Sequence, residues 1–330
     1  MLIKSENPPL LHSYGEVCTK QAVESKTPPM EECQLPLIDL AGLTSVHDGE
    51  REACAAAICR ASSEWGFFQV INHGINPELL KNMRKEQMKL FQTPFNKKSC
   101  SGLLNNSYRW GNPTATSPHQ FSWSEAFHIP FDKISEAACY GEFTSLREVM
   151  MEFGEAMSRL AKLLAGILAQ NLGHTSTVFE DVCQETNCFL RLNRYPPCPF
   201  SPDIFGLVPH TDSDFLTILS QDQVGGLQLM NNSKWVAVKP NEDALIVNIG
   251  DLFQAWSNDV YKSVEHKVMA NAKMERYSLA YFLCPSYDSL IQSCREPSIY
   301  RKFTFGEYRK QVQEDVKKTG HKLGLQRFLL

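Results

Sequence analysis

The chain has 330 residues, of which 43% are hydrophobic and 21% charged, and its formal net charge at pH 7 is −4. These proportions are typical of a soluble globular protein, and a mildly acidic chain without a basic cluster argues against a nucleic-acid-binding surface. No apolar run approaches the roughly 18 residues of a membrane-spanning helix, and the first residues lack the pattern of a secretory signal. We therefore expect neither a nucleic-acid partner nor a membrane.

Cysteine usage indicates the compartment. The chain has 11 cysteines, an odd number, and no two of them form a C-x-x-C pair. Pairs such as Cys54 and Cys59 lack the spacing of a structural zinc site, and free cysteine in an apolar segment behaves as a small hydrophobic residue. We expect a reducing compartment and no disulfides, that is, a cytoplasmic protein that can also enter the nucleus by diffusion.

The first half of the chain is predicted to be an arm followed by helices and short strands. Prolines among polar residues indicate a flexible N-terminal arm over residues 1–33. Asn76-Pro77-Glu78 provides the capping side chain and the first-turn proline of a helix start. The other predicted elements are a strand at 35–40, a helix from about Asp48 to Ala61, an aromatic strand at 65–74, an irregular aromatic stretch at 101–130 and a long helix from about 145 to 172.

The second half is predicted to consist mainly of strands. They cover 188–195, 215–221, 226–230, 234–239, 244–249, 262–269 and 276–284. Hairpin turns are predicted at 231–233 and at Gly250-Asp251. Thr304 and Glu307 have the spacing of a capping box, which opens a last helix ending near Gly320. The pattern favours a mainly β, α+β fold: a double-stranded β-helix (jelly roll) core buttressed by N-terminal and C-terminal helices.

His210, Asp212 and His266 are a candidate ferrous iron site. His210 and Asp212 are two residues apart, so on a strand their side chains point to the same face. His266 alternates with polar neighbours and shares its face with Val264 and Val268, which places the imidazole inside. Two imidazoles and one carboxylate on one face of a metal leave positions open, as in non-haem Fe(II) oxygenases. The alternative for a single H-x-D motif is a core histidine, but the motifs that follow make coincidence improbable.

A carboxylate-binding site is predicted beside the metal. On the strand that starts at Arg276, alternate residues face the interior, and a buried guanidinium requires an anion. Ser278 adds a hydroxyl donor to the same anion. On the earlier strand, Arg191, Asn193 and Tyr195 share one face in the same way and supply further polar groups.

These motifs resemble one known family. The stretches W-G-F-F-Q-V-I-N-H-G at 65–74, N-R-Y-P-P-C at 193–198, H-T-D at 210–212 and R-Y-S at 276–278 are those of plant 2-oxoglutarate- and Fe(II)-dependent dioxygenases. The resemblance covers about residues 34–325. Within the family, the segments at 206–217, 251–259 and 281–287 are most similar to gibberellin 2-oxidases that act on twenty-carbon gibberellins.

The resemblance implies a set of cofactors and residue roles. Fe(II) would be held by the two histidines and Asp212, and 2-oxoglutarate by the catalytic Arg276 with Ser278, Tyr195 and Asn193. O2 would be the second co-substrate, ascorbate the reductant and a gibberellin the substrate, without an obligate protein partner. The implied reaction is hydroxylation at carbon 2, which inactivates the hormone or its precursor, with 2-oxoglutarate converted to succinate and CO2.

The sequence patterns and the resemblance together predict a domain division. The predicted parts are the flexible arm at 1–33, an N-terminal dioxygenase region at 34–135, a long buttressing helix at 136–180, the Fe(II)/2-oxoglutarate jelly-roll domain at 181–290 and a C-terminal helical segment at 291–330.

Five residues are candidates for substrate contact: Arg109, Phe127, Arg191, Phe282 and Cys284. A gibberellin is a rigid apolar skeleton with carboxylate, so its site needs aromatic walls and a cation. For Arg191 the alternative is a buried structural ion pair. His128 is a further pocket candidate, whereas His73, at a strand end before a glycine, is expected to be structural.

Two other classes of function remain open. The same scaffold could carry a gibberellin 20- or 3-oxidase or a flavonoid or alkaloid oxygenase, and only the pocket would distinguish them. A non-catalytic hormone-binding protein is the second alternative. The intact iron and 2-oxoglutarate residues argue against it, since a pure binder would need neither.

Overall fold

The computed structural model describes residues 5–24, 30–100, 102–112, 115, 117, 120–180, 182–200 and 204–330. The helices are α1 Leu10–Glu24, α2 Asp48–Glu64, α3 Pro77–Phe91, α4 Phe95–Lys98, α5 Thr144–Asn171, α6 Asp251–Trp256 and α7 Phe305–Thr319. The strands are β1 Glu32–Cys33, β2 Leu37–Asp39, β3 Phe67–Ile71, β4 Tyr108–Trp110, β5 Glu125–Pro130, β6 Phe189–Tyr195, β7 Phe205–His210, β8 Leu216–Gln221, β9 Leu227–Asn231, β10 Lys234–Val238, β11 Leu245–Ile249, β12 His266–Met269, β13 Arg276–Leu283, β14 Leu290–Ile291 and β15 Phe303–Thr304.

Two mixed sheets form the jelly roll. The eight-stranded sheet has the order β2-β3-β11-β8-β13-β6-β5-β4, and the five-stranded sheet has the order β1-β10-β9-β12-β7. Most neighbours are antiparallel, while β1/β10 and β2/β3 are parallel. The long helix α5 packs against α2, α3 and the strands β8 and β13. The predicted fold class, a jelly roll with buttressing helices, is confirmed.

The helix starts predicted at Asn76 and Thr304, and the helix end predicted near Gly320, are found at those residues. Oδ1 of Asn76 accepts a hydrogen bond from the backbone N–H of Glu78 at 2.9 Å and caps α3. Thr304 and Glu307 form a complete capping box at the start of α7, and Gly320 ends that helix in the left-handed conformation. Both capping side chains satisfy backbone donors that a helix end leaves without a partner.

Part of the stretch predicted as a flexible N-terminal arm, residues 10–24, forms helix α1, and residues 1–4 and 25–29 lie outside the described chain. Helix α1 buries Leu10, Tyr14 and Cys18, and the Tyr14 ring stacks on Phe121 with centroids 4.4 Å apart. The three residues are spaced by four, so they form one apolar stripe along the helix. The nearby prolines, which precede the helix rather than interrupt it, obscured this stripe.

Three details of the strand assignment also differ. The stretch predicted as irregular contains β4 and β5, which extend the eight-stranded sheet. Strand β7 was not predicted because it contains Gly206 and Pro209; it lies at the edge of its sheet, where proline is tolerated. Gly250 does not form a hairpin turn but precedes α6. A Cβ at this glycine would lie 2.1 Å from Oδ1 of Asp214, so the close approach requires glycine.

In the part of the chain that the structure describes, no helix is both long enough and apolar enough to cross a membrane.

Candidate active site

His210, Asp212 and His266 lie at adjoining strand ends of the five-stranded sheet. His210 is the last residue of β7 and pairs with His266, the first residue of β12. Asp212 follows two residues after β7, and its Oδ1 lies 3.6 Å from Nε2 of His210 and 3.8 Å from Nε2 of His266. One ligand atom from each residue lies within 4.8 Å of the others. The structure therefore brings together the three residues predicted to hold iron.

Hydrogen bonds orient both imidazoles toward the centre of this triad. Nδ1 of His210 lies 2.8 Å from the carbonyl oxygen of Val208, and Nδ1 of His266 lies 3.0 Å from that of Val264. A carbonyl oxygen only accepts, so each Nδ1 carries the proton and each Nε2 keeps its lone pair. Such outer contacts fix the tautomer and the ring orientation of metal-binding histidines.

The charge states of the triad suit a metal. Burial and the nearby His266 lower the pKa of His210 to about 3. Burial alone would raise the pKa of Asp212, but the two imidazoles and hydrogen bonds from Asn248 and Thr217 bring it down to about 2. A neutral imidazole and an ionised carboxylate are the forms that bind a metal ion. With two nitrogen donors and one oxygen donor on one side, the set fits ferrous iron.

The loop that carries Asp212 is fixed from two directions. The first N–H groups of α6 donate to it, Asp251 to the carbonyl oxygen of Asp212 at 2.9 Å and Leu252 to that of Asp214 at 3.0 Å. From the C-terminal segment, Nζ of Lys322 donates to the carbonyl oxygen of Thr211 at 2.9 Å and lies 2.6 Å from Oδ2 of Asp251. Lys322 was not predicted from the sequence, since it belongs to no motif.

Arg276 is buried and faces the same cavity. One terminal nitrogen donates to Oε1 of Gln221 at 2.7 Å. Nε and the other terminal nitrogen have no hydrogen-bond partner among the described residues. The guanidinium lies over the Tyr195 ring, with Cζ 4.9 Å from the ring centroid. A buried guanidinium with open donors needs an anion, and a carboxylate matches its two parallel N–H groups. These residues therefore fit the far carboxylate of 2-oxoglutarate.

Asn193 and Ser278 continue the polar wall beside Arg276. The two residues are paired in the β6/β13 ladder, and Nδ2 of Asn193 donates to Oγ of Ser278 at 3.3 Å. Oδ1 of Asn193 accepts a hydrogen bond from Nε of Arg191 at 2.8 Å. Asn193 thus links the predicted 2-oxoglutarate residues to the next arginine along the wall.

Strand register separates the two ends of the cavity. On the inner face of β13, Arg276 pairs with Tyr195, Ala280 with Arg191, and Phe282 with Phe189. With about 3.4 Å per residue along a strand, Arg191 lies about 14 Å beyond Arg276 along the ladder. The carboxylate clamp is therefore at one end of the wall, and the arginine and aromatic side chains are at the other.

The second end of the cavity has aromatic and basic walls. Phe189 and Phe282 stack with centroids 4.3 Å apart, and His128 lies against Phe189 at 4.1 Å. The whole cavity measures about 380 Å³ and includes the triad, Arg276, the aromatic stack, Arg191, Cys284 and Arg309. Arg309, on α7, was not predicted, because a polar residue on an amphipathic helix carries no signal of what it faces.

Two predicted substrate residues lie elsewhere. Phe127 is buried between Phe91 and Tyr108, with ring centroids 5.5 and 5.0 Å away, and does not line the cavity. Its neighbour His128 does, because side chains alternate along β5. Arg109 is exposed and donates to the carbonyl oxygen of Tyr108 at 2.6 Å. His73 is also outside the triad, and its Nδ1 accepts the N–H of Ile75 at 3.2 Å.

Comparisons with known proteins agree with this geometry. The family model of the 2OG-Fe(II) oxygenase superfamily matches residues 186–285, and that of the non-haem dioxygenase in morphine synthesis N-terminal region matches residues 35–145. A crystal structure of JOX2 in complex with 2OG, Fe and JA is similar with a TM-score of 0.72 and 34% identity, covering 89% of this chain and 92% of that chain. The fold and the site define an Fe(II)- and 2-oxoglutarate-dependent oxygenase.

Two sequence relatives indicate the group within this family to which the chain belongs. Gibberellin 2-beta-dioxygenase 6 of Oryza sativa subsp. japonica is 64% identical over 305 residues, 90% of this chain and 85% of that protein. Gibberellin 2-beta-dioxygenase 8 of Arabidopsis thaliana is 56% identical over 306 residues, 92% of this chain and 90% of that protein. The chain belongs to the plant 2OG-Fe(II) dioxygenases, in the gibberellin 2-beta-dioxygenase group, which confirms the resemblance inferred from the motifs.

Proposed function

We propose that this enzyme inactivates gibberellins by hydroxylating carbon 2 of twenty-carbon members of the class, with conversion of 2-oxoglutarate and O2 to succinate and CO2. One observation carries the proposal: the triad, the buried guanidinium of Arg276 with two unpaired nitrogens, and an aromatic wall with its own cation share a single cavity. The names of the two relatives above support the choice of substrate and position.

The roles of the residues follow from their positions. His210, Asp212 and His266 would hold Fe(II), which supplies the activation of O2 when bound. Arg276 would bind the far carboxylate of 2-oxoglutarate, with Ser278 as a second donor, while Asn193 and Tyr195 hold these two groups in place. The protein's own contribution is therefore orientation and the exclusion of water.

Substrate orientation decides the position of oxidation. The Phe189–Phe282 stack offers a flat apolar surface for a ring system, and Arg191 offers a charge for a carboxylate at the same end. A rigid substrate fixed at two points presents one hydrogen to the metal, so carbon 2 is selected by geometry and not by an additional catalytic group.

Two finer features are part of the proposal. The reductant that keeps the iron ferrous would be ascorbate, and the compartment would be the cytoplasm, without an obligate protein partner. The 11 free cysteines support a reducing compartment. Dependence of multiple turnovers on added ascorbate and the location of a fluorescent fusion would test the two statements.

The main test uses the purified enzyme. It is incubated anaerobically with Fe(II) and 2-oxoglutarate and then given O2 and a panel of gibberellins and flavonoids, with the products identified by mass spectrometry. We expect 2-hydroxylated twenty-carbon gibberellins and one succinate per product. Oxidation at carbon 20 or carbon 3, or turnover of flavonoids only, would contradict the substrate and position and leave the dioxygenase class intact. Binding without any turnover would support a hormone-binding protein.

A further inference from the structure

We propose that Arg309 on α7 and Arg191 on β6 form a two-cation clamp that makes the enzyme selective for rigid substrates with two free carboxylates. This inference rests on the proposed function, since it concerns the substrate end of the same cavity. In this proposal Arg309, which belongs to no sequence motif, is a residue that determines substrate specificity.

The two arginines reach the cavity from different elements. Arg191 lies on the sheet wall, where it pairs with Ala280 on one side and His128 on the other. The small side chain of Ala280 leaves space beside the guanidinium. Arg309 comes from the first turns of α7 and lines the same cavity. The two charges therefore approach a bound molecule from the sheet and from the helix.

The position of Arg309 is fixed by its helix. The capping box at Thr304 and Glu307 closes the first turn of α7. Tyr308, which immediately precedes Arg309, is fully buried, and its hydroxyl donates to the carboxylate of Asp251. Because Asp251 opens α6 beside the metal loop, α7 is tied to the site through this contact. Arg309 is thus held on a rigid element and not on a free surface helix.

Neither guanidinium has a carboxylate within salt-bridge distance in the described parts of the chain. Arg191 makes a single hydrogen bond to the neutral amide of Asn193. The cavity's own carboxylates serve other partners: Asp212 belongs to the metal site, and Oδ2 of Asp214 lies 2.9 Å from Oγ1 of Thr217. Two partly buried cations without a protein counter-charge favour an anionic ligand.

His128 adds no charge of its own at this end. Burial, followed by the charges of Arg191, Arg309 and Arg109, lowers the pKa of His128 to about 3. The imidazole therefore stays neutral at cellular pH and serves as part of the stack with Phe189.

The clamp matches one chemical difference between gibberellins. Twenty-carbon gibberellins keep two free carboxylates on a rigid apolar skeleton, whereas nineteen-carbon gibberellins have one of them closed into a lactone. An arginine can bind each free carboxylate with two parallel hydrogen bonds, while a lactone offers no charge. We infer that one arginine binds the carboxylate common to both classes. The other binds the carboxylate that nineteen-carbon gibberellins close into a lactone, and so selects twenty-carbon gibberellins.

The test compares matched ligands on matched variants. The ligands are a twenty-carbon dicarboxylic gibberellin and its monomethyl ester. The variants are Arg309→Gln, Arg309→Lys and Lys310→Gln, the last an exposed neighbour on the same helix. In Arg309→Gln, the loss of one charge-assisted contact should raise KM for the diacid about tenfold to a hundredfold. The diacid-to-ester preference should disappear in Arg309→Gln, be partly kept in Arg309→Lys and be unchanged in Lys310→Gln, while KM for 2-oxoglutarate stays the same.

Calorimetric binding without O2 separates this inference from the proposed function. A wild-type protein that binds the diacid more tightly than the ester, without oxidising it, would overturn the proposed function and support the clamp. Equal binding of diacid and ester by the wild type would overturn the clamp, as would a preference that Arg309→Gln retains. A KM increase for diacid and ester alike would also overturn it, because Arg309 would then support the helix and not the second carboxylate.

Discussion

Asn248 donates a hydrogen bond from Nδ2 to Oδ2 of Asp212 at 2.8 Å, so the two oxygens of this carboxylate have separate tasks. Oδ2 also accepts from Thr217 at 2.7 Å, while Oδ1 is the oxygen nearest to both imidazoles. The carboxylate is therefore oriented by protein groups that never touch the metal. This arrangement would leave Oδ1 of Asp212 as the oxygen that binds a metal ion.

Replacing Asn248 with leucine should weaken iron binding without abolishing it. Contacts that orient a ligand typically contribute tenfold to a hundredfold in metal affinity, so we expect an Fe(II) dissociation constant about ten to a hundred times higher. Anaerobic titration with Fe(II) would measure it. Gln228→Leu, which removes a buried amide from the other sheet, is the control and should keep the wild-type affinity. Equal affinities in the two variants would contradict the role of Asn248.

Arg276→Lys should impair 2-oxoglutarate binding selectively. Lysine keeps the positive charge but loses the planar guanidinium, whose Nε and one terminal nitrogen have no hydrogen-bond partner among the described residues. Loss of a charge-assisted hydrogen bond predicts an apparent constant for 2-oxoglutarate about tenfold to a hundredfold higher. The constant for the gibberellin should change little in steady-state assays. The reverse pattern would mean that Arg276 serves the substrate.

The sequence predicts the parts of this site that depend on local alternation. Arg276 and Ser278 are two residues apart on β13, and this spacing places both on one face. His210 and Asp212 have the same spacing, but β7 ends at His210, so contacts of the following loop also position Asp212. Lys322 could not be found in this way. Its Nζ donates to the carbonyl oxygen of Thr211, 111 positions earlier in the sequence. The two residues meet only because the C-terminal segment returns to the jelly roll.

The same limit explains the two misplaced substrate residues. For Phe127 and His128, alternation shows that one faces the cavity and the other the core, but only the pairing of β5 with β6 decides which. In the structure His128 is paired with Arg191, and both line the cavity. Arg109 falls in the stretch predicted as irregular, whereas it lies on β4, the edge strand of the sheet, and its guanidinium donates to the carbonyl oxygens of Asn106 and Tyr108.

Glu125→Gln should destabilise the fold strongly. The Glu125 carboxylate is fully buried and neutralises Lys98, with atoms 2.7 Å apart, and Arg194, also at 2.7 Å. Removing its charge leaves the buried Lys98 without a counter-charge and leaves Arg194 with only its pair to the half-buried Glu275 at 2.8 Å. Breaking a buried pair costs about 3–5 kcal/mol. Denaturant unfolding would measure the loss. The control is Lys97→Met, which breaks the neighbouring but exposed pair with Glu142 and should change the free energy of unfolding by less than about 1 kcal/mol. Similar losses in both variants would contradict the importance of burial.

Removal of the metal should lower thermal stability, and the effect should depend on His266. A ligand that binds only the folded state, present at a hundred times its dissociation constant, stabilises that state by about 2.7 kcal/mol. Fe(II) added anaerobically should therefore raise Tm by several degrees, and a chelator should reverse the change.

His266→Ala removes one of three ligands, and both the Tm increase and turnover should be lost. His128→Ala is the matched control, because this imidazole lines the same cavity but lies outside the triad, and its Tm increase with Fe(II) should equal that of the wild type. An increase retained in His266→Ala, or lost in His128→Ala, would show that the metal is held by a different set of residues.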